Sequence, residues 1–498
     1  MDQRHIVALE IGSSKIKGLI ASIGDLGEIN VIAIEETRVI DCVRYGRIQN
    51  IQEVSTRVND IIRKLENNPH VAPRKITDIF VALGGRSLST VTAQAQAKFP
   101  GAIEITADTV ERLKREASFG LVTDKTTLEM LSHTFFVDNS EVKNVVGVVG
   151  SQLRAVFTAI VISPINQSNL NRIKFDGRNI RLHTVIRPTA LADLVLSSSE
   201  KQLGCALVDF GAETTTVVIY KDDVLQSIVT LPVGSRNITR DLMIGMSMTE
   251  ERAEAAKADS SSAVTADAVS STDAEINSYI SARAGEIVAN ILHQIEAAGF
   301  KTALPAGIVL TGRGAMLHNF DRLVEAQSKM PVRIAAIDGT MQFTGNKFER
   351  NSNIDILAIA KYCAGKSTVD CLEPAPELPE QDNSYVADND DIYIHEDNPR
   401  RRDYRRVVDE DNLLEDDSDD VPTTDAGHRV TGKTSRPVRN VRPVDDYDDN
   451  ADTVYDDNID DDDRPSFKSK ITLLKEKLAG FWTKPIDGEE DDLDSPAN

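Results

Sequence analysis

The sequence lacks the features that mark several common protein classes. It has 4 cysteines in 498 residues, Cys42, Cys205, Cys363 and Cys371. None stands in a C-x-x-C pair and their spacings fit no zinc pattern, so the expectation is reduced thiols in a cytosolic compartment. No apolar run approaches the roughly 18 residues that a membrane-spanning helix needs. The opening residues lead directly into an apolar strand, with no secretory signal. There is no G-x-x-x-x-G-K-[ST] loop and no complete G-x-G-x-x-G, so two familiar phosphate cradles are missing. Positive charge is also short: 56 Lys and Arg face 79 Asp and Glu, for a formal net charge of -23. Such a balance argues against a nucleic-acid partner, which requires a basic footprint.

Up to Ala364 the chain alternates short apolar strands, helical stretches and compact turns, enough for more than one lobe with a core. From Cys371 to Arg464 it is dominated by Asp, Asn, Pro, Arg and Ser. That composition cannot bury enough apolar surface to offset chain entropy, so a disordered acidic linker is expected. As a flexible coil it would span roughly 50–60 Å, more with charge repulsion.

Two segments share one plan: an apolar strand, an acid, an apolar residue, glycine, a polar turn and a returning strand. The first is His5–Ile23, with Glu10-Ile11-Gly12 before the turn Gly12-Ser13-Ser14-Lys15. The second is Cys205–Tyr220, with Asp209-Phe210-Gly211 before Gly211-Ala212-Glu213-Thr214. Glycine lets backbone approach a ligand closely, and turn N–H groups and hydroxyls can hold phosphate oxygens. An acid at the strand end can hold a hydrated magnesium ion through its waters. One hairpin alone is an ordinary Gly/Ser turn; two would clamp a polyphosphate. A later strand, Ile308–Leu310, ends in Thr311-Gly312-Arg313-Gly314-Ala315, which reads either as a turn beneath a nucleoside or as a plain strand-to-helix connection.

These motifs resemble those of the actin, Hsp70 and sugar-kinase superfamily: Leu9–Lys15 the first phosphate motif, Val208–Gly211 the second, Gly307–Gly312 the adenosine motif. Within it the chain most resembles the FtsA family of bacterial cell-division proteins, through Leu9-Glu10-Ile11-Gly12, Ala253-Glu254-Ala255-Ala256-Lys257 and Ala306–Gly312. The resemblance implies an α/β fold: a two-lobed actin-like ATPase with a 1C-type inserted subdomain. It implies subdomain 1A over 1–83 and 164–200, 1C over 84–163, 2A over 201–242 and 301–368, and 2B over 243–300. A linker over 369–464, a targeting helix over 465–485 and an acidic tail over 486–498 follow.

It also implies roles. Gly12, Ser13, Ser14, Lys15, Gly211, Ala212, Glu213 and Thr214 would hold the phosphates of ATP. Glu10 and Asp209 would face Mg2+. Glu254 and Lys257 would flank base or ribose, and Gly312, Arg313, Gly314 and Ala315 would lie beneath the adenosine. Taken from the residues alone, Glu254 and Lys257 are an ordinary helix pair at i, i+3. Arg283 and Glu286 match an Arg-x-x-Glu near the family's site for the C-terminal peptide of the tubulin-like FtsZ; by spacing alone they are an intrahelical ion pair. An arginine there could hold a carboxylate in bidentate fashion. The second turn departs from the family's usual Gly-Gly-Gly-Thr, having Ala212 and Glu213, with Thr216 where an acid is expected. A carboxylate beside a polyphosphate repels it unless turned away or bound to metal, so at most slow ATP hydrolysis is expected. No residue is singled out as a general base. Leu131-Ser132-His133 stands where the family has Ile-Pro-Gln, and His133 reads as a surface or packing residue.

Beyond the linker, Phe467–Lys484 is amphipathic. At 100° per residue Phe467, Ile471, Leu474, Leu478, Phe481 and Trp482 share one stripe. Lys468 and Lys475 border one side; Lys470, Lys477 and Lys484 border the other. Such a helix fits the interface of an anionic membrane, and a partner-binding or docked surface helix is the plainer reading. The resemblance agrees with a membrane-targeting helix. It implies a peripheral protein on the cytoplasmic face of the cell membrane at the division site, self-assembling into filaments and meeting FtsZ and other division proteins. A small-molecule kinase of the same superfamily and a pilus-assembly relative remain as alternatives.

Overall fold

The structure, a computed structural model, describes residues 4–121, 124–259, 271–300, 304–337, 341–344 and 351–373. The expected membrane side chains Phe467, Lys468, Ile471, Leu474, Lys475, Leu478, Phe481 and Trp482 lie outside these residues, as do the acidic tail and all but the start of the linker.

The chain opens with a meander of β1 (Arg4–Ile11), β2 (Lys15–Ile23) and β3 (Ile29–Arg38). A small ribbon, β4 (Val43–Arg44) and β5 (Arg47–Ile48), leads to α1 (Ile51–Glu66) and β6 (Asp78–Leu83). Next come β7 (Ser89–Glu104), α2 (Ala107–Gly120), β8 (Thr126–Val137), β9 (Ser140–Val142) and β10 (Val149–Ile162). They are followed by α3 (Pro164–Asn171), β11 (Arg181–Ile186), α4 (Arg187–Val195) and α5 (Ser198–Leu203). The second meander is β12 (Cys205–Phe210), β13 (Thr215–Lys221) and β14 (Val224–Leu231). Helices α6 (Ser235–Met246), α7 (Glu250–Asp259) and α8 (Ser271–Ala297) precede β15 (Gly307–Thr311) and α9 (Phe320–Ser328). The described elements end with β16 (Val332–Ile334), β17 (Met341–Phe343) and α10 (Ile354–Lys366).

The duplication read in the hairpins extends to whole sheets. One sheet runs β11-β6-β1-β2-β3-β17; the other begins β16-β15-β12-β13-β14. In each, an antiparallel meander gains two parallel strands beside its first strand. This is the actin-like α/β fold. The first sheet is buried against α1, α4 and α10. The face Val54, Val58, Ile61, Ile62 and Leu65 that the helical spacing predicts is the buried face of α1. Asn50 caps that helix, its side chain accepting from the Glu53 N–H at 3.0 Å. Helices α6, α8 and α9 share a second core with β12, β13 and β15.

The segment expected to be an insert of short strands instead has strands of 16, 12 and 14 residues in β7, β8 and β10. Its sheet joins the second one: Ser89 of β7 pairs with Val229 of β14. The length escaped the sequence reading because β7 alternates small apolar and polar residues. Ala93, Ala95, Ala97 and Phe99 turn toward a core with Leu113 and Ala117 of α2, and no continuous apolar run results. The linker also starts later than expected. Cys371 and Leu372 are buried on the body, the Cys371 N–H donating to the His5 carbonyl and its carbonyl accepting from Thr77 N–H, both at 2.9 Å. All four cysteines are buried and unbridged. Among the described residues no helix is long and apolar enough to cross a membrane.

Phe157 is fully buried in the core of the insert and stacks edge-on with Phe135 at 6.2 Å between ring centroids. Phe157→Ala should lower the stability of the described body by about 3–5 kcal/mol, read as a shifted urea midpoint in far-UV circular dichroism.

Candidate nucleotide site

The two polar turns are built alike. The Gly12 N–H donates to the Lys15 carbonyl, and the Gly211 N–H to the Thr214 carbonyl, each at 2.9 Å. Each turn closes the meander of its own sheet. The third turn sits directly against the second, because β15 runs parallel to β12 with Thr311 beside Asp209. Gly312 has φ of +86°, and a Cβ there would fall 2.5 Å from the Phe210 carbonyl oxygen and 2.7 Å from Asp209 Oδ1. No other residue fits that position without displacing β12. Arg313, Gly314 and Ala315 continue as a single 3-10 turn, with Gly314 against the Phe210 ring.

The turn of the small ribbon, Tyr45 and Gly46, brings the hairpins together. The Gly46 N–H donates to Ser13 Oγ at 3.2 Å and the Tyr45 N–H to Glu213 Oε2 at 2.8 Å. Both residues have positive φ, and Gly46 packs so closely on Gly85 that a Cβ would lie 2.4 Å from its Cα. The Glu213 carboxylate, expected to repel phosphate, is buried and paired with Arg236 at 3.1 Å and Arg240 at 3.4 Å. Its charge is answered inside the protein.

Where the resemblance puts magnesium, the structure has Arg187, the first residue of α4. Its Nη2 lies 2.6 Å from Asp209 Oδ2, and its Nε lies 3.5 Å from Glu10 Oε1. A second ion pair adjoins it: the buried Lys17 Nζ contacts the half-buried Asp355 Oδ1 at 3.0 Å and the Ser352 carbonyl at 2.7 Å. Burial, then the charge of Asp355, pushes the Glu10 carboxyl well above its usual range. Burial opposes ionisation of Asp355 too, but Lys17, a hydrogen bond from Glu10 and Arg187 outweigh it and hold its carboxyl low. Burial raises the Asp209 carboxyl against the pull of Arg187. Burial likewise disfavours charge on Arg187, yet Asp209 and Glu10 more than offset it, so the guanidinium stays charged. As they stand, these donors do not fit a divalent cation, since both candidate carboxylates already face a fixed positive group. Among the described residues no three His, Cys, Asp or Glu side chains gather as a metal set.

The remaining expected residues pair locally. Lys257 Nζ contacts Glu254 Oε1 and Thr239 Oγ1 at 2.8 Å each, tying α7 to α6. Burial pushes the Lys257 ammonium below its usual range. Arg283 forms a fork on Asp241, at 2.6 and 3.0 Å, and also contacts Glu286. Its bidentate face, offered by the sequence as a hook for a peptide carboxylate, joins α8 to α6 instead. Lys15 is paired with Glu36. His133 bridges Thr134 and Gln226 at 2.8 Å each, a packing role.

Sequence reasoning passed over Arg187, Lys17, Asp355, Tyr45, Gly46, Arg236 and Arg240. Lys17 left a signal, as a charge between apolar residues of a buried strand, and Asp355 another at the head of an apolar helix. Lys17→Met should cost about 1.5–3 kcal/mol, because it takes the nearest cation from the half-buried Asp355, and adding Asp355→Leu should recover part of the loss. Urea unfolding followed by far-UV circular dichroism measures both.

Comparison with known proteins agrees with this architecture. A family described as "Cell division protein FtsA" matches residues 206–353, and one described as "SHS2 domain inserted in FTSA" matches residues 85–161. The cell division protein FtsA of Porphyromonas gingivalis is 30% identical over 334 residues, covering 63% of this chain and 68% of the relative. That of Neisseria meningitidis is 25% identical over 363 residues, covering 67% and 84%. Among solved structures, a PilM-PilN type IV pilus biogenesis complex matches with a TM-score of 0.51 at 15% identity, over 72% of this chain and 98% of that one, a likeness of fold. The duplicated sheets, the inserted domain and the similarity to these relatives together show that the chain belongs to the FtsA family of cell-division proteins.

Proposed function

We propose that the chain is an actin-like, ATP-binding scaffold of cell division that assembles at the cytoplasmic membrane face and tethers the FtsZ ring there. The observation that carries the nucleotide reading is the pair of matched turns, Gly12–Lys15 and Gly211–Thr214, held together by the backbone of Tyr45 and Gly46. In this reading the turns hold the phosphates, and Gly312–Ala315 lies beneath the adenosine. Glu254 and Lys257 stand at the edge of base or ribose. ATP acts as an assembly ligand and is hydrolysed slowly at most. The subdomain boundaries are those given by the sequence, except that β17, α10 and residues 369–372, expected in subdomain 2A and the linker, pack with the first half. The FtsZ C-terminal peptide meets the helices of the second half, at the junction of α6 and α8 that Arg283 holds together through Asp241 and Glu286, with other division proteins as further partners. The FtsA family supports the division role.

The membrane reading rests on the sequence of Phe467–Lys484. Burying each of its six apolar side chains contributes roughly 1.5–3 kcal/mol as an upper bound. Each of the five lysines adds about 1 kcal/mol near an anionic leaflet, less in salt. Deleting 467–484 should move the protein from the pellet to the supernatant when anionic liposomes are sedimented, with ATP affinity by calorimetry unchanged. Sedimentation of the deletion variant with those liposomes would place the anchor elsewhere. Electron microscopy of the intact protein on a lipid monolayer with ATP tests assembly: filaments support the scaffold, and their absence removes it.

A further inference from the structure

The strand-end acids of the two hairpins converge on one group, and that group is a side chain of this protein. Arg187 follows Ile186 of β11 and precedes Pro188, so its backbone is fixed at the turn into α4. Its guanidinium lies between Glu10 of the first sheet and Asp209 of the second, at 3.5 Å and 2.6 Å. Glu10 and Asp209 are 6% and 5% exposed. A guanidinium cannot be deprotonated in a protein and cannot leave, unlike a hydrated metal ion. A divalent cation entering the same space would meet like charge at short range and would have to displace an ion pair already desolvated.

Two buried atoms at this junction have no hydrogen-bond partner among the described residues: Arg187 Nε, a donor, and Asp209 Oδ1, an acceptor. Buried polar atoms are normally satisfied, and an exception calls for an explanation. Asp209 Oδ1 lies next to Gly312, so the unmet acceptor faces the third turn. A phosphate oxygen accepts from an arginine N–H, and a bound hydroxyl or water can donate to the carboxylate. The donor and acceptor left open are those an anionic, hydroxyl-bearing ligand such as a nucleotide would complete.

We propose that this chain binds its nucleotide without a divalent cation, the Arg187 guanidinium taking the place of the metal between Glu10 and Asp209. The inference rests on the nucleotide reading of the site. Arg187 then neutralises part of the polyphosphate charge while keeping its ion pair with Asp209 and its charge beside Glu10, and the affinity of the nucleotide does not depend on magnesium.

The test titrates ATP into the full-length protein by calorimetry, once in excess Mg2+ and once in EDTA. The expected result is two dissociation constants within about twofold of one another. Arg187→Gln frees both carboxylates, so it should weaken binding in EDTA about tenfold or more, with Mg2+ restoring it. Wild-type binding that weakens about tenfold or more in EDTA would overturn the inference while leaving the nucleotide reading intact. Absence of ATP binding by the wild type in both buffers would overturn the nucleotide reading, and the inference with it. The wild-type comparison decides the matter even where Arg187→Gln fails to fold.

Discussion

The buried ion pairs of Arg187 set the terms for the whole site. Two strands from different sheets each end in a carboxyl group, and the fold directs both ends to one place. Two carboxylates so buried would repel one another and lose their hydration, at a cost of several kcal/mol each. Arg187, at the turn into α4, lies between them, and the Glu10 carboxyl is also pushed toward its neutral form by burial and by Asp355. The neighbouring pair of Lys17 and Asp355 follows the same rule, and its placement on β2 and α10 extends the charge network into the first core. A site of this kind gains definition from pairing, since removal of any one member leaves another buried and unanswered.

The repeat of the fold was legible before the structure. Strand, acid, apolar residue and glycine recur at Glu10–Gly12 and Asp209–Gly211, and the backbone bonds that close both turns are the same. Hydrophobic spacing also placed α1, because five residues with one face in common leave little choice. What stayed hidden were relations across distance. Arg187 meets Glu10 only after the chain has passed through the entire insert, and nothing in the local sequence of Arg187-Pro188-Thr189 specifies that partner. Arg283 shows the complementary case. Its match to a motif suggested an outward role, while its fork on Asp241 is made by a helix 42 residues away in sequence.

Glu213 shows how a departure from a family pattern can be accommodated by its surroundings. In the sequence it stands as a carboxylate in a turn that the resemblance assigns to phosphate. In the fold it receives the Tyr45 N–H and two arginines of α6, and so ties the small ribbon of the first half to the second turn. Local charge is thereby converted into cross-linking. Arg236 and Arg240 stand one turn apart on α6, the spacing at which two side chains of a helix reach the same group.

The insert is attached in two ways that point in different directions. Its covalent ends lie at β6 and β11, both strands of the first sheet. Its hydrogen bonds run to β14 of the second sheet, through Ser89 and Val229, through His133 and Gln226, and through the Thr90 hydroxyl, which accepts from the Ile228 N–H at 3.0 Å. A body leashed to one half and stitched to the other acts as a strut. Any hinge motion that separates the two meanders must either shear that narrow seam or carry the insert along and load the segments 84–88 and 163–180. The stiffness of the junction between the two meanders is therefore governed partly from outside it, at the narrow seam where β7 and β8 meet β14.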